Sequence, residues 1–458
     1  MRVVICGAGK VGYAIADYLS RETNHITVID TNATLIDTIT NDLDVNGIVG
    51  YASSPEVLAQ AGLAEADMIV AVTHHDEVNM IACQVAHSLF NVPKKIARIR
   101  NQDYRNPAWI NLFSRDHIPI DMIISPEVEV AKAVYQRLQV GGATEVIPIH
   151  DNRAYLIAAI CGDDCPILHT PLEHLRSLFS DLRAEIVAII RKGKPFIAKR
   201  DTQILPGDEI YFVVDHDDID RSMSALGFEQ AKVRRTVIMG GGNVGFELAR
   251  RLSEKKDAGQ VALIEQNKSR ARFLSEHLEN VLVLHGDGLD PELLEEAGIK
   301  KAENFISVSD SDETNALSAL EAKQFNCPRA MALVTRSTYG NLLLSITIDA
   351  IISPQDITVS NILRHVRRGR IKAVHKLRGG FAEFIEAEAS ESCRIINTPL
   401  RDLDIPKEVH VSAIIRNEEF ITPNGGTIIR PGDFVILFAL AGFGQMVEKL
   451  FSVEVDLF

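Results

Sequence analysis

The stretch Val3-Val4-Ile5-Cys6-Gly7-Ala8-Gly9-Lys10-Val11-Gly12 runs an apolar segment straight into the pattern G-x-G-x-x-G. The apolar run predicts a buried strand over Arg2 to Cys6. Val11, Ile15, Tyr18 and Leu19, at i, i+4, i+7 and i+8, predict a helix behind the glycines. At such a junction Gly7 permits the tight turn, Gly9 lets the backbone approach a pyrophosphate, and Gly12 lets helix and strand pack closely. The N–H groups around Gly9 to Val11 then point at phosphate oxygens, aided by the helix dipole. An acid follows about 20 residues later: Asp30, ending the run His25 to Ile29.

The stretch recurs. Val237-Ile238-Met239-Gly240-Gly241-Gly242-Asn243-Val244-Gly245 repeats the strand, glycine loop and helix start, and Val261 to Ile264 leads to Glu265. Further strands are expected at Val45 to Val49, Met68 to Val72, Ile96 to Ile99 and Met122 to Ile124. Their counterparts in the second half include Val281 to Leu284, Phe305 to Val308 and Ile351-Ile352. Pro55 and Pro291 each open a helix, ending near Ala61-Gly62 and Ala297-Gly298. Six strands alternating with helices imply a doubly wound parallel sheet, twice, by internal duplication. Smaller segments repeat as well. Val187 to Arg191 with Leu205-Pro206-Gly207-Asp208 returns as Ser412 to Arg416 with Arg430-Pro431-Gly432-Asp433, which suggests two small α+β modules. Gly141-Gly142 and Gly379-Gly380 fall near the large-to-small transitions, as flexible points or ordinary turns.

The 458 residues carry a net charge of −14, which argues against non-specific nucleic-acid binding and adsorption to anionic lipid. Arg2 leads directly into a strand, so no signal peptide is expected. The longest apolar run, Phe434 to Ala441, falls far short of the ~20 residues of a membrane span. A soluble, cytoplasmic protein is expected. Cys6, Cys83, Cys161, Cys165, Cys327 and Cys393 show no zinc-site spacing and read as reduced, mostly buried thiols, with a redox role conceivable for Cys6 at the strand–loop junction.

Asp30 and Glu265 are placed to accept from a ribose 2′-OH, and a carboxylate there repels a 2′-phosphate, favouring NAD or adenosine nucleotides over NADP. Thr73 and His74, with Ser309 and Asp310 in the second half, follow the fourth strand and would line the cleft. Thr73-x-x-Asp76 and Ser309-x-x-Asp312 also resemble capping boxes, so helix capping stands beside ligand contact as a reading. The pair His74-His75 has no accompanying ligand cluster, and no metal is expected. Arg98 and Arg100, two apart on one sheet face, either reach phosphate oxygens across the cleft or form surface ion pairs. Leu333 and Thr335 take their places in the second half, with Arg336 displaced by one, so the two clefts should handle charge differently. Neither half shows the proton donor and substrate anchors of a dehydrogenase.

The chain resembles the TrkA family, the nucleotide-binding regulatory subunits of bacterial Trk potassium uptake systems, built from RCK (or KTN) domains. The resemblance is carried by Ile5 to Gly12, by Asp76-Glu77-Val78-Asn79-Met80-Ile81-Ala82-Cys83-Gln84 and by Ile96-Ala97-Arg98-Ile99-Arg100-Asn101-Gln102-Asp103-Tyr104, and it covers essentially the whole chain. It implies an α/β protein of two Rossmann-like doubly wound parallel-sheet domains (1–138 and 231–368), each followed by a small α+β RCK-C or TrkA-C domain (139–230 and 369–458). It implies NAD(H) or adenine nucleotide such as ATP or ADP on Gly7 to Val11, Asp30, Thr73, His74 and Arg98. A second ligand would lie on Gly240 to Val244 and Glu265, with Ser309 and Asp310. One departure is Gly50-Tyr51-Ala52, where the second half has Gly286-Asp287-Gly288.

The resemblance further implies a homotetrameric ring beneath a TrkH- or TrkG-type potassium transporter, peripheral at the inner face of the membrane, without catalysis. A bifunctional NAD-dependent dehydrogenase is the alternative; a free-standing cytosolic redox sensor is a third reading.

Overall fold

The structure is a computed structural model that describes residues 1–20, 24–179, 181–228, 235–254, 259–335, 348–366, 371–377 and 380–451. Two compact units result: Met1–Glu129 with Gln355–Ile362, and Val130–Pro354 with Leu363–Phe458.

The first unit holds a six-stranded sheet of β1 (Arg2–Cys6), β2 (His25–Asp30), β3 (Asn46–Val49), β4 (Met68–Ala71), β5 (Lys94–Arg98) and β6 (Met122–Ile124). Their order, β3-β2-β1-β4-β5-β6, is that of a doubly wound sheet, and the strands pair in parallel. Reversal of strand order between β1 and β4 opens a crevice at the carboxyl ends of these strands, where such folds take ligands. Val4, Cys6, Ile69, Ala71 and Ala97 fill one face of the sheet under Leu58, Leu63, Cys83 and Ala86. The expected strands are all present, with ends displaced by one or two residues.

The second unit contains the repeat. Its parallel sheet is built from β12 (Arg235–Met239), β13 (Gln260–Glu265), β14 (Val281–His285), β15 (Asn304–Ser307), β16 (Arg329–Leu333) and β17 (Ala350–Ile352), in the order β14-β13-β12-β15-β16-β17. Position for position this is the first sheet again.

Two antiparallel five-stranded sheets complete the unit. One comprises β7 (Ala143–Ile149), β8 (Ala154–Ile160), β9 (Ala184–Arg191), β10 (Lys194–Ile197) and β11 (Glu209–Asp215), in the order β10-β9-β11-β8-β7. The other comprises β18 (Ile371–Lys376), β19 (Ala382–Glu388), β20 (Val409–Arg416), β21 (Glu419–Ile421) and β22 (Phe434–Leu440), in the order β18-β19-β22-β20-β21. Read from the opposite edge, the second order matches the first. Tyr211, Val213, Phe384 and Phe438 belong to one apolar core shared by the two sheets.

The repeated Pro-Gly-Asp turns have a physical reason. Gly207 and Gly432 take φ of 80° and 87°, a conformation costly for residues with a Cβ. Each turn delivers a buried aspartate to an arginine fork: Asp208 to Arg191 at 2.9 and 2.7 Å, and Asp433 to Arg416 at 2.8 and 2.7 Å. Gly142 lies in a turn at φ 79°, where a Cβ would lie 2.2 Å from the Phe228 ring. Gly379 lies outside the described residues, as does Arg336. Among the described residues, no helix is long and apolar enough to cross a membrane.

Candidate nucleotide clefts

Gly7 leaves β1 at φ 110° and donates its N–H to Ile29 O at 2.7 Å, which brings the loop against the end of β2. The helix Lys10–Ser20 starts on the far side of the loop. A Cβ on Gly12 would lie 1.8 Å from Gly7 O, so the helix can approach only because that position is glycine. A Cβ on Gly9, by contrast, would meet nothing within 4 Å. This open space above an N-terminal helical turn, whose first N–H groups have no intrahelical partner, fits a phosphate group. Lys10 is exposed and Val11 half-buried at the helix start.

The second loop repeats these relations. Gly240 has φ 105°, and its N–H reaches Ile264 O at 2.9 Å; Gly245 would place a Cβ 1.9 Å from Gly240 O; Gly242 again has nothing within 4 Å. Gly242 caps the helix Asn243–Ser253, with Asn243 exposed and Val244 half-buried in its first turn. One position differs for a packing reason. At Gly241 a Cβ would lie 2.3 Å from Leu274 and 2.8 Å from Glu265 Oε2, whereas Ala8 fits beside the shorter Asp30.

The strand-ending acids bind their own loops. Asp30 Oδ2 accepts from Ala8 N at 2.7 Å and Oδ1 from Asn32 N at 2.8 Å; Glu265 Oε2 accepts from Gly241 N at 2.8 Å and Oε1 from Asn267 N at 2.7 Å. Each carboxylate oxygen keeps lone-pair capacity for a further donor such as a ribose hydroxyl. At the departure beyond β3, Tyr51 is 70% exposed, while the Asp287 carboxylate accepts from Leu289 N at 3.0 Å.

Thr73 and Ser309 do not cap helices. The helix Asp76–Ser88 begins after His75, which makes no side-chain cap bond, and Asp312–Gln324 is capped by Ser311. Thr73 Oγ1 and Ser309 Oγ instead contact Asn79 Oδ1 and Asn315 Oδ1, each at 2.7 Å. Asp76, expected as a box partner, accepts from the N–H groups of Arg100 and Asn101 at 2.8–3.0 Å, and Asp312 accepts from Thr335 N at 2.9 Å. His74 and Asp310 are exposed beside these clamps. Asn79 and Asn315 fell within noted stretches without being singled out; the signal was an Asn six residues after each cleft-edge hydroxyl.

Arg98 and Arg100 converge on Glu127, at the start of the helix Pro126–Gln139, with N···O distances of 3.3 and 3.1 Å. This is no solvated surface pair: the Arg98 and Glu127 side chains are 13% and 11% exposed. Burial holds the Arg98 guanidinium below its ordinary value, with Glu127 pulling the other way. Arg98 Nε and Glu127 Oε2 are buried without hydrogen-bond partners among the described residues. In sequence the second half has Leu333, Thr335 and Gln355 instead, an uncharged set.

Among the described residues, the second cleft has a cation at the glycine loop, on a residue that sequence reasoning missed. Arg270 Nε donates to Gly241 O at 2.8 Å, and its guanidinium lies over Phe273 (4.7 Å) and Phe246 (5.7 Å). The first half has Leu35 there.

All six cysteines are buried free thiols, and burial pushes the Cys6 thiol up to about 12. Among the described residues, no cluster of His, Cys, Asp and Glu could hold a metal ion.

Two glycine-loop clefts on duplicated parallel sheets, each paired with a duplicated antiparallel module, define a tandem nucleotide-fold protein. Residues 3–126 and 236–354 match the TrkA-N domain, and residues 157–227 and 384–452 match the TrkA-C domain. The chain is 45% identical over 458 residues to the Trk system potassium uptake protein TrkA of Azorhizobium caulinodans, covering 100% of both chains. It is 38% identical over 462 residues to that of Halomonas elongata, again covering 100% of both. The chain belongs to the TrkA family of Trk system potassium uptake proteins. The fold is also that of a structure described as the GsuK channel bound to NAD, with a TM-score of 0.62 at 14% identity, over 98% of this chain and 78% of that one.

Proposed function

We propose that this protein is the cytoplasmic regulatory subunit of a Trk-type potassium uptake system, gating a TrkH- or TrkG-type transporter in response to NAD(H) and ATP or ADP. The observation that carries this reading is the duplicated cradle, open at Gly9 and Gly242 and flanked by a carboxylate already fixed to the loop. Gly7 to Gly12 and Gly240 to Gly245 hold the pyrophosphate, while Asp30 and Glu265 take the ribose. A structural relative described as bound to NAD supports the choice of nucleotide. At the first site, Arg98 and Arg100 leave Glu127 for the terminal phosphates of the ligand. Thr73, His74, Ser309 and Asp310 line the far edge of each cleft.

A ligand that favours one arrangement of an assembly shifts the population towards it, and an attached transporter follows. The assembly is a homotetramer in this reading; exposed Ile81 and Leu317, at equivalent positions on the helices Asp76–Ser88 and Asp312–Gln324 (47% and 55% exposed), offer apolar contact for self-association. The four domains divide near residues 138, 230 and 368. No chemistry is assigned to the chain, in keeping with relatives named as potassium uptake proteins.

Deleting the protein should impair potassium uptake at limiting external potassium. Wild type should restore it, whereas Gly9→Glu should restore it poorly, because its side chain fills the phosphate space with repelling charge. Normal uptake in a deletion strain without a redundant homologue, or steady NADH turnover by purified protein, would overturn the proposal.

A further inference from the structure

Thr73 and Ser309 stand at the same place in the two clefts, against the glycine turns. A Cβ on Gly7 would lie 3.1 Å from Thr73 N, and one on Gly240 2.8 Å from Ser309 N. Behind Thr73 lies Asn79, fully buried. Its Nδ2 donates to the carbonyls of Thr73 (3.3 Å) and Arg98 (2.9 Å), and its Oδ1 accepts from Thr73 N (2.9 Å). These three bonds fix the amide. Rotated by 180°, it would set oxygen against two carbonyls and N–H against N–H.

Oδ1 therefore faces Thr73 Oγ1, 2.7 Å away, and because an amide oxygen only accepts, the threonine hydroxyl donates in that contact; the other acceptor within reach of its proton, His75 O at 3.2 Å, is also a protein group. The proton of Thr73 is committed inward. His75 N–H approaches the same oxygen at 3.3 Å, which leaves one lone pair. Asn315 repeats the arrangement. It donates to Ser309 O and Leu333 O, each at 2.9 Å, and accepts from Ser309 N at 2.8 Å and from Ser309 Oγ at 2.7 Å, with Ser311 O, 3.4 Å from Ser309 Oγ, the alternative protein acceptor. Two clefts that differ in their charged residues thus share one hydroxyl orientation.

We propose that Thr73 and Ser309 are specificity-determining residues whose oxygens act only as acceptors towards the ligand. This edge of each cleft then reads the hydrogen-bond donors on the second nucleoside of a dinucleotide, and it repels phosphate oxygens, which at neutral pH are themselves acceptors. Asn79 and Asn315 are the positioning residues that impose the choice. The inference rests on the nucleotide reading above and adds which half of the ligand is recognised here.

Calorimetric titration with NAD and with ADP tests it, in a Gly242→Glu background that fills the second cradle so that only the first site reports. Thr73→Val keeps the shape and removes the hydroxyl. It should weaken NAD about three- to tenfold, the range for one lost hydrogen bond, and leave ADP within about twofold. Thr73→Ser should restore NAD binding, since serine fills this role in the other cleft. Ser309→Ala with the first cradle blocked by Gly9→Glu gives an independent second reading should Thr73→Val fold poorly. An equal loss of ADP would overturn the proposal by showing the hydroxyl donating to phosphate. Unchanged NAD binding in a folded variant would overturn it by showing a purely structural hydroxyl. Failure of the Gly242→Glu protein to bind either nucleotide would instead overturn the underlying reading of the first cleft.

Discussion

The two clefts are alike in backbone and unlike in charge. The bond from loop to acid is 2.7 Å in one and 2.8 Å in the other, both clamp asparagines meet their hydroxyls at 2.7 Å, and Gly12 and Gly245 approach the preceding turn equally closely. Yet the first places two arginines and a glutamate at the end of β5, where the second has Leu333, Thr335 and Gln355 at the equivalent sequence positions, and the second holds Arg270 at the glycine loop, where the first has leucine. The preserved parts suit what every adenine nucleotide shares, a ribose and a pyrophosphate. The divergent parts suit what distinguishes one nucleotide from another, the charge beyond it. Duplication kept the cradle and changed the discriminator.

The likeness is most severely tested at the glycines. Gly12→Ala and Gly245→Ala should each cost about 3 kcal/mol through forced separation of helix and strand, read as a fall in the urea midpoint. A variant that tolerates alanine at one copy alone would show that the cradles are not equivalent. The difference is tested next. Arg98→Ala should weaken ATP at the first site by ~1.5–3 kcal/mol, as for a charge-assisted contact, and leave the second site unchanged. Glu127→Gln, which removes the competing charge for both arginines, should tighten ATP there, because it leaves a largely buried guanidinium without its counter-charge; calorimetry that finds Arg98→Ala silent would confine the arginines to a structural role. The smallest effect is expected from exchanging Leu35→Arg with Arg270→Leu. Each should move nucleotide affinity by ~0.5–1 kcal/mol in opposite senses at the two sites, and movement in one sense at both would break the comparison.

What the sequence disclosed was what short-range pattern can carry. Gly7 to Gly12 and Asp30 announce strand, turn, helix and acid within a single repeat, and the second copy removed the ambiguity of a lone motif. The hydroxyls at Thr73 and Ser309 were located at the cleft edge, and of the two readings only capping fails: the spacing to Asp76 and Asp312 imitates a capping box while the helices start only at those aspartates. Their real partners, Asn79 and Asn315, are six residues away, but the other ends of those clamps, Arg98 O and Leu333 O, lie 19 and 18 residues distant on the next strand. Glu127 is 29 residues from Arg98, with no periodicity to link them. Arg270 sits on a helix face whose polar pattern gives no hint that the glycine loop lies beside it.

The carboxylate bound to its own loop has one more consequence. Asp30 and Glu265 already fasten the glycine turns from Ala8 and Gly241, so an incoming nucleotide meets a receptacle that needs little ordering. Docking into a surface set in advance lowers the conformational cost of association, and it also means that the receptacle itself has little to report. Any message of occupancy must then be written by groups that exchange partners when the ligand arrives. In the first cleft the groups placed to do so under the proposed reading are Arg98 and Arg100, each of which now spends a donor on Glu127. Glu127 itself stands on the first turn of the helix Pro126–Gln139, so a change of partner there would be felt at a helix start rather than in the cradle.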